Sequence, residues 1–324
     1  MKKYLICHII CLLLVFIIPL IVIPGFNIVS GINVSEYKPT LSFKRVTVYN
    51  PETDKVMEMD LEEYLCGVIS AEMPASFPYE ALKAQAVAAR TYIVKRCENS
   101  ALSDTHKGAM VCTSSSHCNA WLSKEERMAK WDKNEAEGNW NKIVSAVNDT
   151  SGEIMTYDGA PITAVFYAIS SGKTENAEDV WGGNVPYLQS AESPYDSQAP
   201  GYSSEASFSE KEFKNIILAS GKDADLSEPP SKWYKNENRS EGGAVLECNI
   251  GGAVFKGTEI RSLFSLRSHN YTLSYTNGTF TFNVKGYGHG VGMSQWGAKY
   301  YAEEGKNYKD ILKIYYNGIS FRKI

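Results

Sequence analysis

Glu72 stands where one helical pattern ends and the next begins, in Ser70-Ala71-Glu72-Met73-Pro74. A carboxyl group fixed at such a joint can give a proton to a leaving oxygen and later take one back. Apolar neighbours such as Met73 and Phe77 would raise its pKa by desolvation, as an acid catalyst requires. The local sequence by itself favours a plainer reading, a helix-end glutamate paired with a base such as Arg90. A second cluster is Cys112-Thr113-Ser114-Ser115-Ser116-His117-Cys118. A thiol and an imidazole five residues apart can share one zinc ion, with Cys118 or groups from elsewhere completing the shell. Outside the cell a Cys112–Cys118 disulfide is the rival. Cys7 and Cys11 lie in an apolar amino-terminal run and leave an odd number of cysteines, so no complete disulfide framework is available.

Two further groups could carry chemistry. Glu175, Glu178 and Asp179 offer a second catalytic carboxylate for hydrolysis, or simply a capped turn or short helix with Thr174 or Asn176 as cap. Gly288-His289-Gly290-Val291-Gly292 sets exposed backbone beside an imidazole. That is either a substrate contact or a tight turn built on glycine.

The elements that must position these groups are legible from periodicity. Residues 43–49 alternate as a strand, with Val46 and Val48 on one face. Asp60 reads as the cap of a helix whose inner face is Leu61, Tyr64, Leu65, Val68 and Ile69. That helix ends near Glu72, because Pro74 disfavours helix just before it. Ser76-Phe77-Pro78 opens a second helix, and its stripe of Leu82, Ala86, Ala89, Ile93 and Cys97 is spaced for close packing on the first. Further helices are expected over 123–131, 140–148, 210–218, 294–304 and 308–316, with a hairpin over 153–167 turning at Asp158-Gly159. The pattern predicts an α+β fold: mixed helices and antiparallel strands in one compact catalytic domain, residues 43–324, with an inserted lobe at about 197–285.

Ahead of this domain, Lys2-Lys3 precede an almost wholly apolar run over residues 4–23, the length of a helix that crosses a bilayer. The lysines hold the amino terminus in the cytoplasm and place everything beyond Gly25 outside. Residues 1–24 are thus expected to form a cytoplasmic stub and transmembrane anchor, and 25–42 a linker. A cleaved signal peptide is the rival, and either exports the domain. With 324 residues, 44% of them hydrophobic, the chain can build a real core. Its net charge of −4 lacks the cationic excess that nucleic-acid binding needs. The 20 Tyr and 6 Trp supply faces that stack well on sugar rings, although such residues are also common in cores.

Three stretches carry a resemblance. The first is Ser70-Ala71-Glu72-Met73-Pro74 followed by Glu80-Ala81-Leu82-Lys83-Ala84-Gln85-Ala86-Val87-Ala88-Ala89-Arg90-Thr91-Tyr92. The second is Ser171-Gly172-Lys173-Thr174-Glu175-Asn176-Ala177-Glu178-Asp179-Val180-Trp181, with Pro186-Tyr187-Leu188 behind it. The third is Gly286-Tyr287-Gly288-His289-Gly290-Val291-Gly292-Met293-Ser294-Gln295-Trp296-Gly297-Ala298. In this order, from about Arg45 to the carboxyl terminus, the chain resembles the stage II sporulation protein D family of endospore-forming bacteria.

The resemblance implies a peptidoglycan lytic transglycosylase that cleaves glycan strands, preferably peptide-stripped, to anhydromuramic ends in septal peptidoglycan during engulfment. It implies a single-pass membrane protein with its domain between the mother-cell and forespore membranes. Its partners would be an amidase of the stage II sporulation protein P type and a membrane protein of the stage II sporulation protein M type, with no nucleic acid. The family's catalytic glutamate maps onto Glu72, which reverses the preference stated above. Gln85, Arg90, Tyr167, Ser170, Ser171, His289 and Gln295 become candidate substrate contacts. A helix-face salt bridge explains Arg90 nearly as well, and Tyr167 stands near the place of a family histidine. Cys112 and His117 become candidate zinc ligands, because His117-Cys118 resembles a family motif that carries zinc in some members. The alternative is a non-enzymatic glycan-binding activator of a partner amidase, as some relatives are.

Overall fold

The computed structural model describes residues 44–98, 104–115 and 117–324. The expected anchor and linker, residues 1–42, lie outside them. Among the described residues no helix is long and apolar enough to cross a membrane.

Strand β1 (Arg45–Asn50) buries Val46 and Val48 and turns back as β2 (Lys55–Asp60). Asp60 then caps α1 (Leu61–Glu72), its carboxylate accepting from the Glu62 and Glu63 amides. Met73 takes up extended backbone ahead of Pro74 and leaves Glu72 on the final turn. After Pro78, α2 (Tyr79–Glu98) begins. The chain continues through β3 (Val111–Cys112), which adds in parallel to β1, then α3 (Lys124–Met128), α4 (Ala136–Asp149) and the hairpin β4 (Glu153–Tyr157) and β5 (Ala160–Pro161). The hairpin's return arm was expected to run to Tyr167 but stops at Pro161, which has no amide to donate to the ladder. Instead β6 (Phe166–Tyr167) pairs in parallel with a strand from far along the chain, and α5 (Ala177–Trp181) follows it.

A second core lies in the next stretch, formed by β7 (Ser203–Ser209), α6 (Glu210–Ala219), β8 (Tyr234–Arg239), β9 (Val245–Ile250), β10 (Ala253–Lys256), α7 (Gly257–Leu263), β11 (Tyr271–Thr276) and β12 (Thr279–Lys285). Its sheets run β10-β9-β8 and β11-β12-β7, all antiparallel. Stacked aromatic rings fill it: Phe213 lies 3.9 Å from Phe280 between ring centroids, with Trp233 and Phe264 beside it. The chain then supplies β13 (Met293–Ser294), the partner of β6, followed by α8 (Gln295–Glu303), α9 (Tyr308–Tyr315) and β14 (Ser320–Lys323) against β4. Among the described residues the fold is mixed helices and antiparallel sheets, with short parallel pairings of β1 with β3 and of β6 with β13, and a parallel bridge between Glu175 and Val291.

Helix α2 is the axis of the first core. A single stripe facing α1 was expected, but Ala84, Ala86, Val87, Ala88 and Ala89 are all fully buried. The helix is surrounded by α1, α4, α8, α9 and β4. Alanines on every side admit that many neighbours, which is why no one-sided pattern marks it.

Candidate active site

Two donors hold the Glu72 carboxylate at the end of α1. The Ala120 amide donates to Oε1 at 2.8 Å, and the Gln295 side-chain amide donates to Oε2 at 3.2 Å. Ala120 can reach because its loop lies hard against α1. A Cβ added at Gly67 would sit 2.2 Å from Trp121 Nε1 and 2.7 Å from the Leu122 carbonyl oxygen. Gln295 is placed by the start of α8. Its cap Ser294 accepts from the Gly297 amide and donates to the buried carboxylate of Asp196, itself pushed up to about 6 by burial. Desolvation likewise pushes the Glu72 carboxyl up, against the pull of its two hydrogen bonds.

Two adjoining clefts share this carboxyl. One, of about 520 Å³, runs from Glu72 past Tyr92, Cys118 and Asn119 to a wall made by residues 164–168, Gly288 and His289. The other, of about 340 Å³, runs past Pro74 to Arg127, Trp131, Glu135 and Asn139. Glu72 therefore sits midway along an open groove. Among the described residues the other carboxylate lining these two clefts is the exposed Glu135. Glu175, Glu178 and Asp179 line neither cleft. Glu175 is buried behind the glycine loop, its amide donating to the Gly290 carbonyl at 2.7 Å, and Asp179 accepts from the Asn176 side chain at the start of α5.

The sequence candidates divide in the structure. Glu72, Gln295, Tyr167 and His289 meet in the groove. Gln85 and Arg90 do not reach it. Both are 0% exposed within the packing of α2. Arg90 forks onto Glu62, Nε to Oε1 at 3.0 Å and Nη2 to Oε2 at 2.5 Å, and donates to the Glu153 and Val147 carbonyls. Its role is the interhelical ion pair, with Glu62 rather than Glu72 as partner. Ser170 is also fully buried, its amide donating to Asp196 and its Oγ accepting from the Gly172 amide. Ser171 lines a different cleft beside the second core, and its Oγ donates to the Gly242 carbonyl. These corrections share one cause: spacing shows which residues share a face, but not how many neighbours cover it.

Tyr167 lines the groove with its hydroxyl buried in the interior, so that hydroxyl is out of reach of a ligand. His289 Nδ1 accepts from the Val291 amide at 3.2 Å, which leaves Nε2 protonated and donating to the Phe166 carbonyl at 3.0 Å. Burial pushes this imidazole down to about 4. With both nitrogens engaged it stays neutral and presents only its ring. Gly288 makes that approach possible: it has φ 124, and a Cβ there would meet Tyr167 Cβ at 2.6 Å.

His106, Cys112, His117 and Cys118 form the second constellation, with one donor atom of each within 4.8 Å of the others. His106 Nε2 and His117 Nδ1 are 2.7 Å apart, and Cys118 Sγ lies 3.7 Å from each. Cys112 Sγ is 3.9 Å from His117 Nδ1. Both thiols are free, so no disulfide joins them. Two sulfurs and two imidazole nitrogens converging in this way fit a single tetrahedral cation. Cys118 also borders the groove, and Ala120 follows it by two residues. His106 gives no signal in the sequence, because it sits on a separate short turn, Asp104–His106, with no periodic tie to Cys112. The Ala120 amide carries no side-chain signal at all, and Asp196 belongs to none of the motifs.

Comparison with known proteins places the chain in a family. The family described as Stage II sporulation protein (SpoIID) matches residues 49–157, the segment holding Glu72, α2 and the Cys/His cluster. The chain is 40% identical over 286 residues to the stage II sporulation protein D of Bacillus amyloliquefaciens, covering 87% of this chain and 80% of that one. It is 36% identical over 334 residues to the stage II sporulation protein D of Bacillus subtilis, covering 98% and 95%. It is also 29% identical over 303 residues to the Bacillus subtilis protein named amidase enhancer, covering 78% of this chain and 39% of that protein. The chain belongs to the stage II sporulation protein D family.

Proposed function

We propose that this chain is a peptidoglycan lytic transglycosylase and that Glu72 is its acid and base. The observation that carries the reading is one desolvated carboxyl midway along an open groove, with donors already aimed at its charged form. In its protonated form Glu72 gives its proton to the glycosidic oxygen as that bond breaks and the sugar becomes oxocarbenium-like. The resulting carboxylate, held by Ala120 and Gln295, then takes the proton of the muramyl primary hydroxyl. That oxygen bonds to the anomeric carbon and closes the anhydro ring. No second carboxylate is needed, because the attacking hydroxyl belongs to the sugar.

On this reading His106, Cys112, His117 and Cys118 hold a zinc ion. Bound there, zinc would cross-link the segment that delivers the Ala120 amide. Treating the full chain with a strong chelator should lower its Tm by about 5 °C or more, and one equivalent of zinc should restore it. Cys112→Ser should bind no stoichiometric zinc. An unchanged Tm after verified metal removal would reduce the cluster to a hydrogen-bonded turn.

The domain would act outside the membrane, anchored through residues 1–24, beside an amidase of the stage II sporulation protein P type and a membrane partner of the M type. Mass spectrometry of peptide-stripped strands after incubation with the detergent-solubilised full chain tests the reaction. Anhydromuramic ends are expected. Reducing ends would make the protein a hydrolase and direct attention to Glu135. A second reading, a glycan-binding activator of an amidase, draws on the similarity to the amidase enhancer. It takes over if strands are bound and left uncut while added amidase is accelerated.

A further inference from the structure

Trp181 is 52% exposed and Tyr287 46% exposed, large aromatic faces that soluble proteins usually cover at least in part. Tyr287 lies on the lip of the Glu72 groove, and Trp181 packs against His289, which lines it. Tyr287 lines the groove together with Gly288 and His289. Trp181 ends α5, directly before Gly182 at φ 81, and its ring centroid lies 5.3 Å from that of His289 at 46°. The imidazole is a firm support: two backbone hydrogen bonds hold it, and Tyr167 backs it at 5.4 Å. Tyr287 is braced by the Arg267 guanidinium 4.3 Å from its ring centroid. Each ring is thus held by a neighbour and still presents surface to solvent.

We propose that Trp181 and Tyr287 are the sugar-stacking positions of this groove, taking pyranose rings of the strand on the His289 side of Glu72. A pyranose has one face rich in C–H groups, which an indole or phenol face covers with loss of water from both. Neither ring touches the reacting bond, so the pair acts on affinity and on the length of strand engaged. The inference rests on the glycan reading above but not on cleavage.

The test is binding of peptide-stripped glycan strands by the full chain carrying Glu72→Gln, read by co-sedimentation. Adding Trp181→Ala should weaken Kd about tenfold, Tyr287→Ala should act in the same direction, and Trp181→Phe should keep Kd within about threefold of its parent. With Glu72 intact, Trp181→Ala should raise KM by a similar factor and leave kcat within about twofold. The half-exposed indole makes folding of the variant checkable by an unchanged Tm. A Kd within about twofold of the parent for folded Trp181→Ala overturns the inference, as does a fall in kcat at constant KM. A chain with Glu72 intact that binds strands and cuts none removes the transglycosylase reading alone. A parent that binds none removes both.

Discussion

Glu72→Gln should lower turnover on peptide-stripped strands by at least about a thousandfold, the scale of a lost general acid, while strand binding stays within about threefold. Glutamine keeps the shape and an acceptor for the Ala120 amide, and Gln295 can turn its own amide to match. What it lacks is the transferable proton. The pH dependence follows from the raised pKa of Glu72. Cleavage needs the protonated acid, so the parent's rate should fall as pH rises through that raised value. Stability runs in the same direction. A carboxyl whose folded pKa lies above its unfolded one favours folding at low pH, and that contribution is lost as pH rises from about 4.5 through the folded value. Glu72→Gln carries no such loss, so its Tm should gain on the parent's as pH increases across that window. Retention of a tenth or more of the activity would sink the assignment and leave Glu135 as the other carboxylate on the groove.

Arg90→Ala should cost about 3–5 kcal/mol in folding free energy, read as a shift in the denaturant midpoint at pH 7. The fully buried guanidinium joins α1, through Glu62, to the carbonyls of Val147 in α4 and Glu153 in β4. Truncation removes the counter-charge of Glu62 and a donor from each of two carbonyls, and leaves a cavity besides. Arg90→Lys should recover only part of the loss, because an ammonium cannot match the two-pronged contact. The double change Glu62→Leu with Arg90→Met should be milder than Arg90→Ala, since no charge is left unpaired. A cost below about 1 kcal/mol for Arg90→Ala would mean that water replaces the guanidinium, and the ion pair would lose its structural role.

The elements around Glu72 were legible wherever the cause is local. Asp60 caps its helix through amides two and three residues on, and Met73-Pro74 ends it by a steric effect of neighbouring residues. Ser123 and Ser209 cap α3 and α6 in the same way, close to where the pattern placed those helices. The three motifs named the family and chose Glu72 out of many glutamates. Local signals failed at Gln85 and Arg90, where a helix wrapped on all sides shows no outward face, and at Phe166, whose strand partner Met293 is distant in sequence.

The amino-acid sequence by itself determined the family, the ends of the helices that meet at Glu72, the carboxyl to test and the Cys112–Cys118 part of the Cys/His cluster. Tertiary structure alone decided what that carboxyl meets. Ala120 lies 48 residues from Glu72 along the chain, and Gln295 lies 223 residues away. Caps, breakers and periodicity act over a few residues, whereas these contacts depend on how loops and helices close on one another. The burial that raises the Glu72 pKa and the placement of Trp181 against His289 have the same origin.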